Sequence, residues 1–165
     1  MMTFQPGDIF AYRKSDALWA LGISFGEMLA GADGRYVHVG IWDGTQEIAA
    51  YFNGVGSGAH LNAPCDVLRV KLGFPPYRLD YALEWLHGKV GKTPYAWWDL
   101  GWVWLMRRLG LRNGINFSDQ SVICSWLVAD FLQKAGVNAF PDRHPCEVMP
   151  GDFDVNQVFK TVATL

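Results

Sequence analysis

An excess of charge of one sign is what this sequence most plainly lacks. Its 165 residues carry 14 Lys and Arg against 16 Asp and Glu, a formal charge of −2. No basic run stands out, so the footprint of a nucleic-acid-binding protein is missing. Cysteine is scarce: Cys65, Cys124 and Cys146 are all there is. An odd, scattered set is not a disulfide framework. Free thiols in a reducing, intracellular setting are the expectation, and Asn116-Phe117-Ser118 then carries no glycosylation meaning.

Other signals fail on inspection. The first residues, Met-Met-Thr-Phe-Gln-Pro-Gly-Asp, have no basic region followed by an apolar stretch, so no secretory signal is read there. Gly91-Lys92-Thr93 invites a phosphate-loop reading, but the glycine required five residues earlier is Leu86. Neither a Cys-x-x-Cys nor a helical His pair occurs. His144-Pro145-Cys146, even with Cys65 or His60, falls short of metal-ligand spacing. No metal or cofactor is expected. Repeats, low-complexity segments and dividing linkers are absent, so one domain over 1–165 is expected, long enough to bury a core.

What is present is apolar and aromatic. Half of the residues are hydrophobic, 18% are charged, and 15% are aromatic, with eight Trp. Residues 7–12 alternate and predict a strand. Ser15 or Asp16 can cap a helix whose apolar face is Leu18, Leu21, Phe25 and Met28. The best hairpin predicted is 35–42 with 45–52, turning at Asp43-Gly44. A glycine-rich loop at 53–58, a strand at 66–71 and a helix at about 80–90 follow, then a loop at 91–95. Residues 96–109 form an apolar, Trp-rich helix. At ~1.5 Å per residue it is about 21 Å long, too short for a ~30 Å bilayer core. A buried helix is expected there, with an acyl-chain groove or a membrane-surface contact as the alternative. The last clear helix is expected over 118–135, capped by Ser118, Asp119 or Ser121. The chain closes on a Pro-Gly-Asp turn at 150 and an edge strand at 160–165. Strands and helices are partly segregated, which gives an α+β class.

Two residues stand out chemically. His38 sits in an alternating strand, where Val37, Val39 and Ile41 take one face and Tyr36, His38, Gly40 and Trp42 the other. Gly40 leaves room beside the imidazole. Cys124 lies in the first or second turn of its helix, where unpaired N–H groups and the macrodipole favour a thiolate. It also shares a packed face with Leu127, Val128, Phe131 and Leu132, the place of a small hydrophobe.

The order of these pieces is informative. Pro6-Gly7-Asp8-Ile9, His38-Val39-Gly40-Ile41, Gly91-x-x-Pro94-Tyr95, Cys124-Ser125-x-Leu127-Val128 and Met149-Pro150-Gly151-Asp152 follow one another along the chain. The set resembles the NlpC-type branch of the papain-like cysteine hydrolases. The His strand comes 86 residues before the Cys helix, the reverse of the usual order. That resembles the circularly permuted members, the YiiX-like proteins and their relatives in the lecithin retinol acyltransferase group.

The resemblance implies a papain-like fold: an antiparallel sheet or small barrel packed on helices, with the nucleophile at a helix N-terminus. It implies Cys124 as nucleophile, His38 as general base and acid, and Tyr95 and Tyr12 lining the cleft or assisting the oxyanion. The third member departs from the pattern. A two-residue turn pairs Trp42 with Thr45 and sets Ala49 opposite His38, where relatives carry a polar residue. Glu47 and Tyr51 flank Ala49, and Glu47 is the preferred orienting residue.

The activity expected is hydrolysis of an amide in bacterial cell-wall peptides. An acyl-ester or lipid substrate, or a non-catalytic binding or phage structural module, is the alternative. The partner is then a peptide or acylated small substrate, with no nucleic acid. The setting is the bacterial cytoplasm or a phage-encoded, virion-carried protein.

Overall fold

A computed structural model describes residues 3–15, 34–58, 63–96 and 122–165. The helices expected near 17–28 and over 96–109 lie outside the described residues, save for Ala96. Six strands form one antiparallel sheet: β1 (Ile9–Arg13), β2 (Tyr36–Trp42), β3 (Glu47–Tyr51), β4 (Gly54–Gly58), β5 (Cys65–Val70) and β6 (Phe159–Thr164). Their spatial order is β4-β3-β2-β1-β5-β6. Two helices, α1 (Pro76–Lys89) and α2 (Cys124–Lys134), pack with the sheet, and short 3-10 turns cover Pro145–Glu147 and Pro150–Phe153. This is an α+β arrangement. Among the described residues no helix is long and apolar enough to cross a membrane.

The strand period sorts side chains into two clusters. Ile9, Ala11, Val39, Ile41, Ile48, Ala50, Leu68 and Val70 join the buried residues of α1 and α2. Phe10, Tyr12, Val37, Ala63, Cys65 and Val67 form the other cluster. Burying such side chains contributes roughly 1.5–3 kcal/mol each. The glycine-rich stretch after β3 is not a loop but β4, which pairs Tyr51 with Gly54 through Glu47 with Gly58. Glycine has low strand propensity, and tertiary pairing overrides it here.

Two departures from the sequence reading affect the site. First, the hairpin loop is four residues long. Trp42 pairs with Glu47, not Thr45. The Asp43 carboxylate accepts from the amides of Thr45 at 2.7 Å and Gln46 at 2.8 Å. Those hydrogen bonds close a turn that outcompetes the two-residue hairpin. Second, β2 carries a bulge. Tyr12 pairs with His38 but Arg13 pairs with Tyr36, so Val37 is the extra residue. Tyr36 accordingly joins Val39 and Ile41, and Val37 joins Tyr12. Tyr36 does not share the face of His38.

The sheet is tied by Asp66, which is 2% exposed. Its carboxylate accepts from Arg13, from Tyr36 Oη at 2.9 Å and from Thr164 Oγ1 at 2.7 Å. Four strands meet at this group. Burial alone would raise its pKa, but the hydrogen bonds from Arg13, Thr164 and Tyr36 outweigh that and hold it below the usual range.

Removing the charge should leave Arg13, Tyr36 and Thr164 without their acceptor. Asp66→Ala is expected to cost about 3–5 kcal/mol in urea unfolding, and a loss under about 1 kcal/mol would contradict the assignment. Asp43 gives a pH prediction. Burial raises its pKa, yet His87, Gln46 and Thr45 together bring it down to about 2. Its contribution is complete above the ordinary carboxylate value and is lost as pH falls through about 2. Stability should therefore drop by about 2 kcal/mol between roughly pH 5 and pH 2 relative to Asp43→Asn. Parallel pH profiles for the two proteins would contradict it.

Candidate active site

His38 has no exposed surface. Its imidazole lies between two tyrosines, with ring centroids 5.6 Å from Tyr12 and 5.6 Å from Tyr51. Tyr12 is its cross-strand partner on β1. On β3 the four-residue loop moves the partner from Ala49 to Tyr51, because Trp42 opposite Glu47 carries the register two residues further. The orienting position that read as empty is thus filled by an aromatic ring. Burial, then the nearby Glu47 carboxylate, raises the Tyr51 pKa, so its phenol stays protonated.

Glu47 is not a solvated charge at a hairpin tip. It is fully buried, and its Oε2 accepts from Tyr12 Oη at 2.5 Å. The carboxylate reaches Tyr12 across β2 because Gly40 has no side chain. A Cβ at Gly40 would stand 2.0 Å from Glu47 Oε1. The room that Gly40 leaves beside His38 is therefore taken by Glu47. Tyr12 was expected to line the cleft, but its hydroxyl is committed to this carboxylate. Cys65, opposite Tyr12 on β5, belongs to the same face. Burial, then Glu47, pushes its thiol up to about 12, so it is no nucleophile.

Cys124 is the first residue of α2, several residues later than the sequence placed the helix start. Ser118, Asp119 and Ser121 lie outside the described residues. Ile123 is the N-cap, in extended conformation and without a side-chain cap. The thiol therefore sits at the uncapped, positive end of the helix. Ser125 Oγ donates to the Val148 carbonyl at 2.6 Å, which fixes this first turn. Tyr95 is tied to the same place. It bridges to Val122, with Ala96 N donating to Val122 O at 3.0 Å and Val122 N to Pro94 O at 3.1 Å.

The structure thus forms two groups. His38, Tyr12, Glu47 and Tyr51 are brought together on one face. Cys124 and Tyr95 belong to the cluster of Val39 and Ile41, the residues that alternate with His38. α2 packs on β2 and β3, the strands that carry His38 and Glu47. Sequence reasoning missed the Tyr12–Glu47 bond and set Ala49, with Tyr51 only flanking it, opposite His38. Both depended on a loop length that the turn capacity of Asp43 could have indicated.

The comparison with solved structures follows from this architecture. A crystal structure of the metalloprotein YiiX from Escherichia coli O157:H7, of DUF1105, matches with a TM-score of 0.65. The match covers 99% of each chain at 19% identity. In fold, the chain is YiiX-like. No family model matches the sequence, and no curated protein matches it. The YiiX structure is described as a metalloprotein, yet among the described residues here no group of three or more His, Cys, Asp and Glu could hold a metal ion.

Tyr12→Phe removes the donor to a buried carboxylate and should cost about 1–3 kcal/mol. Gly40→Ala forces the same carboxylate out and should cost about 1–3 kcal/mol. Because both act through Glu47, the double variant should lose less than the sum of the two in urea unfolding. Strict additivity would show that Gly40 and Tyr12 do not share Glu47.

Proposed function

We propose that the protein is a thiol hydrolase with Cys124 as nucleophile and His38 as proton carrier. The observation that carries this reading is Cys124 at the first position of α2, where the N-cap residue Ile123 makes no side-chain cap. Orphan N–H groups and the macrodipole stabilise a thiolate there. They also offer donors to the oxyanion of a tetrahedral intermediate. The Tyr95 loop bonded beside Cys124 supports the same reading, and so does the order of motifs, which resembles that of permuted papain-like hydrolases.

The chemistry is then double displacement at a carbonyl. The Cys124 thiolate attacks the carbonyl carbon. His38 holds the thiol proton and delivers it to the leaving amine or alcohol. Water deprotonated by His38 attacks the thioester and frees Cys124. Tyr12, Tyr51 and Glu47 hold His38 without exposing it. The substrate class is an amide of a peptide, with cell-wall peptides first in line and an acyl ester second.

One observation favours a second reading. Cys124 is 1% exposed and His38 0% exposed, and Cys124 packs with Val39 and Ile41, the residues that alternate with His38. A binding module that keeps the fold without the chemistry would look this way.

Incubation with muropeptides, and separately with short acyl esters, tests the proposal. Turnover of one class that is abolished in Cys124→Ala, with an acyl adduct on Cys124 by intact mass, is the expected result. No turnover and no adduct with either class would favour the binding module.

A further inference from the structure

A second thiol and a second imidazole meet outside the site above. His144 Nδ1 lies 2.9 Å from Cys146 Sγ. The same nitrogen accepts from the backbone N–H of Cys146 at 3.4 Å. An Nδ1 that accepts an N–H cannot carry a proton, so the neutral ring is protonated at Nε2 and Nδ1 is the acceptor for the thiol. His144 is exposed, whereas Cys146 is 3% exposed. His144 N donates to Glu147 Oε2 at 3.3 Å, which ties the backbone at the start of this turn. The flanking Arg143 is paired with Asp152 at 2.6 Å, which closes this segment against the 3-10 turn that follows. A nucleophile with a base at hydrogen-bond distance is the minimal form of an activated thiol.

We propose that Cys146 and His144 form a modification site for small hydroperoxides, acting as a redox input to the start of α2. At 3% exposure the sulfur favours a small oxidant such as hydrogen peroxide over bulky electrophiles. His144 Nδ1 takes the thiol proton. The thiolate attacks one peroxide oxygen and the O–O bond breaks. The departing hydroxide takes the proton from His144, giving sulfenic acid and water. Sulfur loses two electrons and the peroxide gains them. The added oxygen has little space. Cys146 is two residues from Val148, whose carbonyl holds Ser125 beside Cys124. Oxidation therefore pushes on the hydrogen bond that fixes the first turn of α2. The modification is independent of the hydrolase reading; only its effect on turnover rests on it.

The test uses the full chain carrying Cys124→Ala, so that the proposed nucleophile cannot contribute. Hydrogen peroxide is added for timed intervals, the protein is then unfolded in dimedone to trap sulfenic acid, and adducts are mapped by peptide mass. Cys146 should be labelled at least about tenfold faster than Cys65. His144→Asn keeps a cap acceptor for Cys146 N but cannot take the thiol proton, and should remove that advantage while the protein remains folded by circular dichroism. Equal labelling of Cys146 and Cys65, or no change in His144→Asn, overturns the site. Amide exchange of residues 124–128 should rise on oxidation, and unchanged exchange overturns the link to α2.

Discussion

A carboxylate with no exposed surface must be bonded where it lies, and Glu47 is held by Tyr12 across a strand that separates them. That bond sets the rest of the site. It requires glycine at position 40, because any Cβ there would occupy the carboxylate's place. It fixes the Tyr12 ring, and with it one wall around His38. The other wall is Tyr51, which the register brings opposite the imidazole. Three adjacent strands thus contribute to one buried polar row, and Cys65 on a fourth strand feels the same charge.

How His38 is held follows from this arrangement. Two aromatic rings confine the imidazole, and the carboxylate acts on one of them. The rings on either side set the plane available to the imidazole. At the other group, the uncapped start of α2 supplies what a thiolate needs from backbone alone. The Tyr95 loop and the Val148 carbonyl hold that helix start from two sides.

Much of this architecture was legible in the sequence. The alternation at 7–12 and 35–42, the helix ending near Gly136 and the closing edge strand all follow from period and punctuation. The strand β4 was not, because five residues with three glycines carry no propensity signal of their own. The start of α2 was misplaced because Ser118, Asp119 and Ser121 are good caps by residue type, while the helix begins after Ile123 without one. The register opposite His38 was misread for a local reason. Asp43-Gly44 is a strong two-residue turn signal, yet Asp43 spends its carboxylate on Thr45 and Gln46 and lengthens the loop. Glu47, the residue expected to orient His38, accepts from Tyr12 Oη. The bulge at Val37 left no trace in the pattern, since Tyr36 and Val37 are both apolar enough for either side.

The account rests on Cys124 and His38 acting as one unit although Cys124 packs with the residues that alternate with His38. The rate at which a small alkylating reagent such as iodoacetamide modifies Cys124, compared with Cys65 in the same molecule, measures this most directly. The account predicts fast, pH-dependent labelling of Cys124 that slows in His38→Ala, with Cys65 slow in both proteins. Labelling of Cys124 no faster than Cys65, and indifferent to His38, would contradict it.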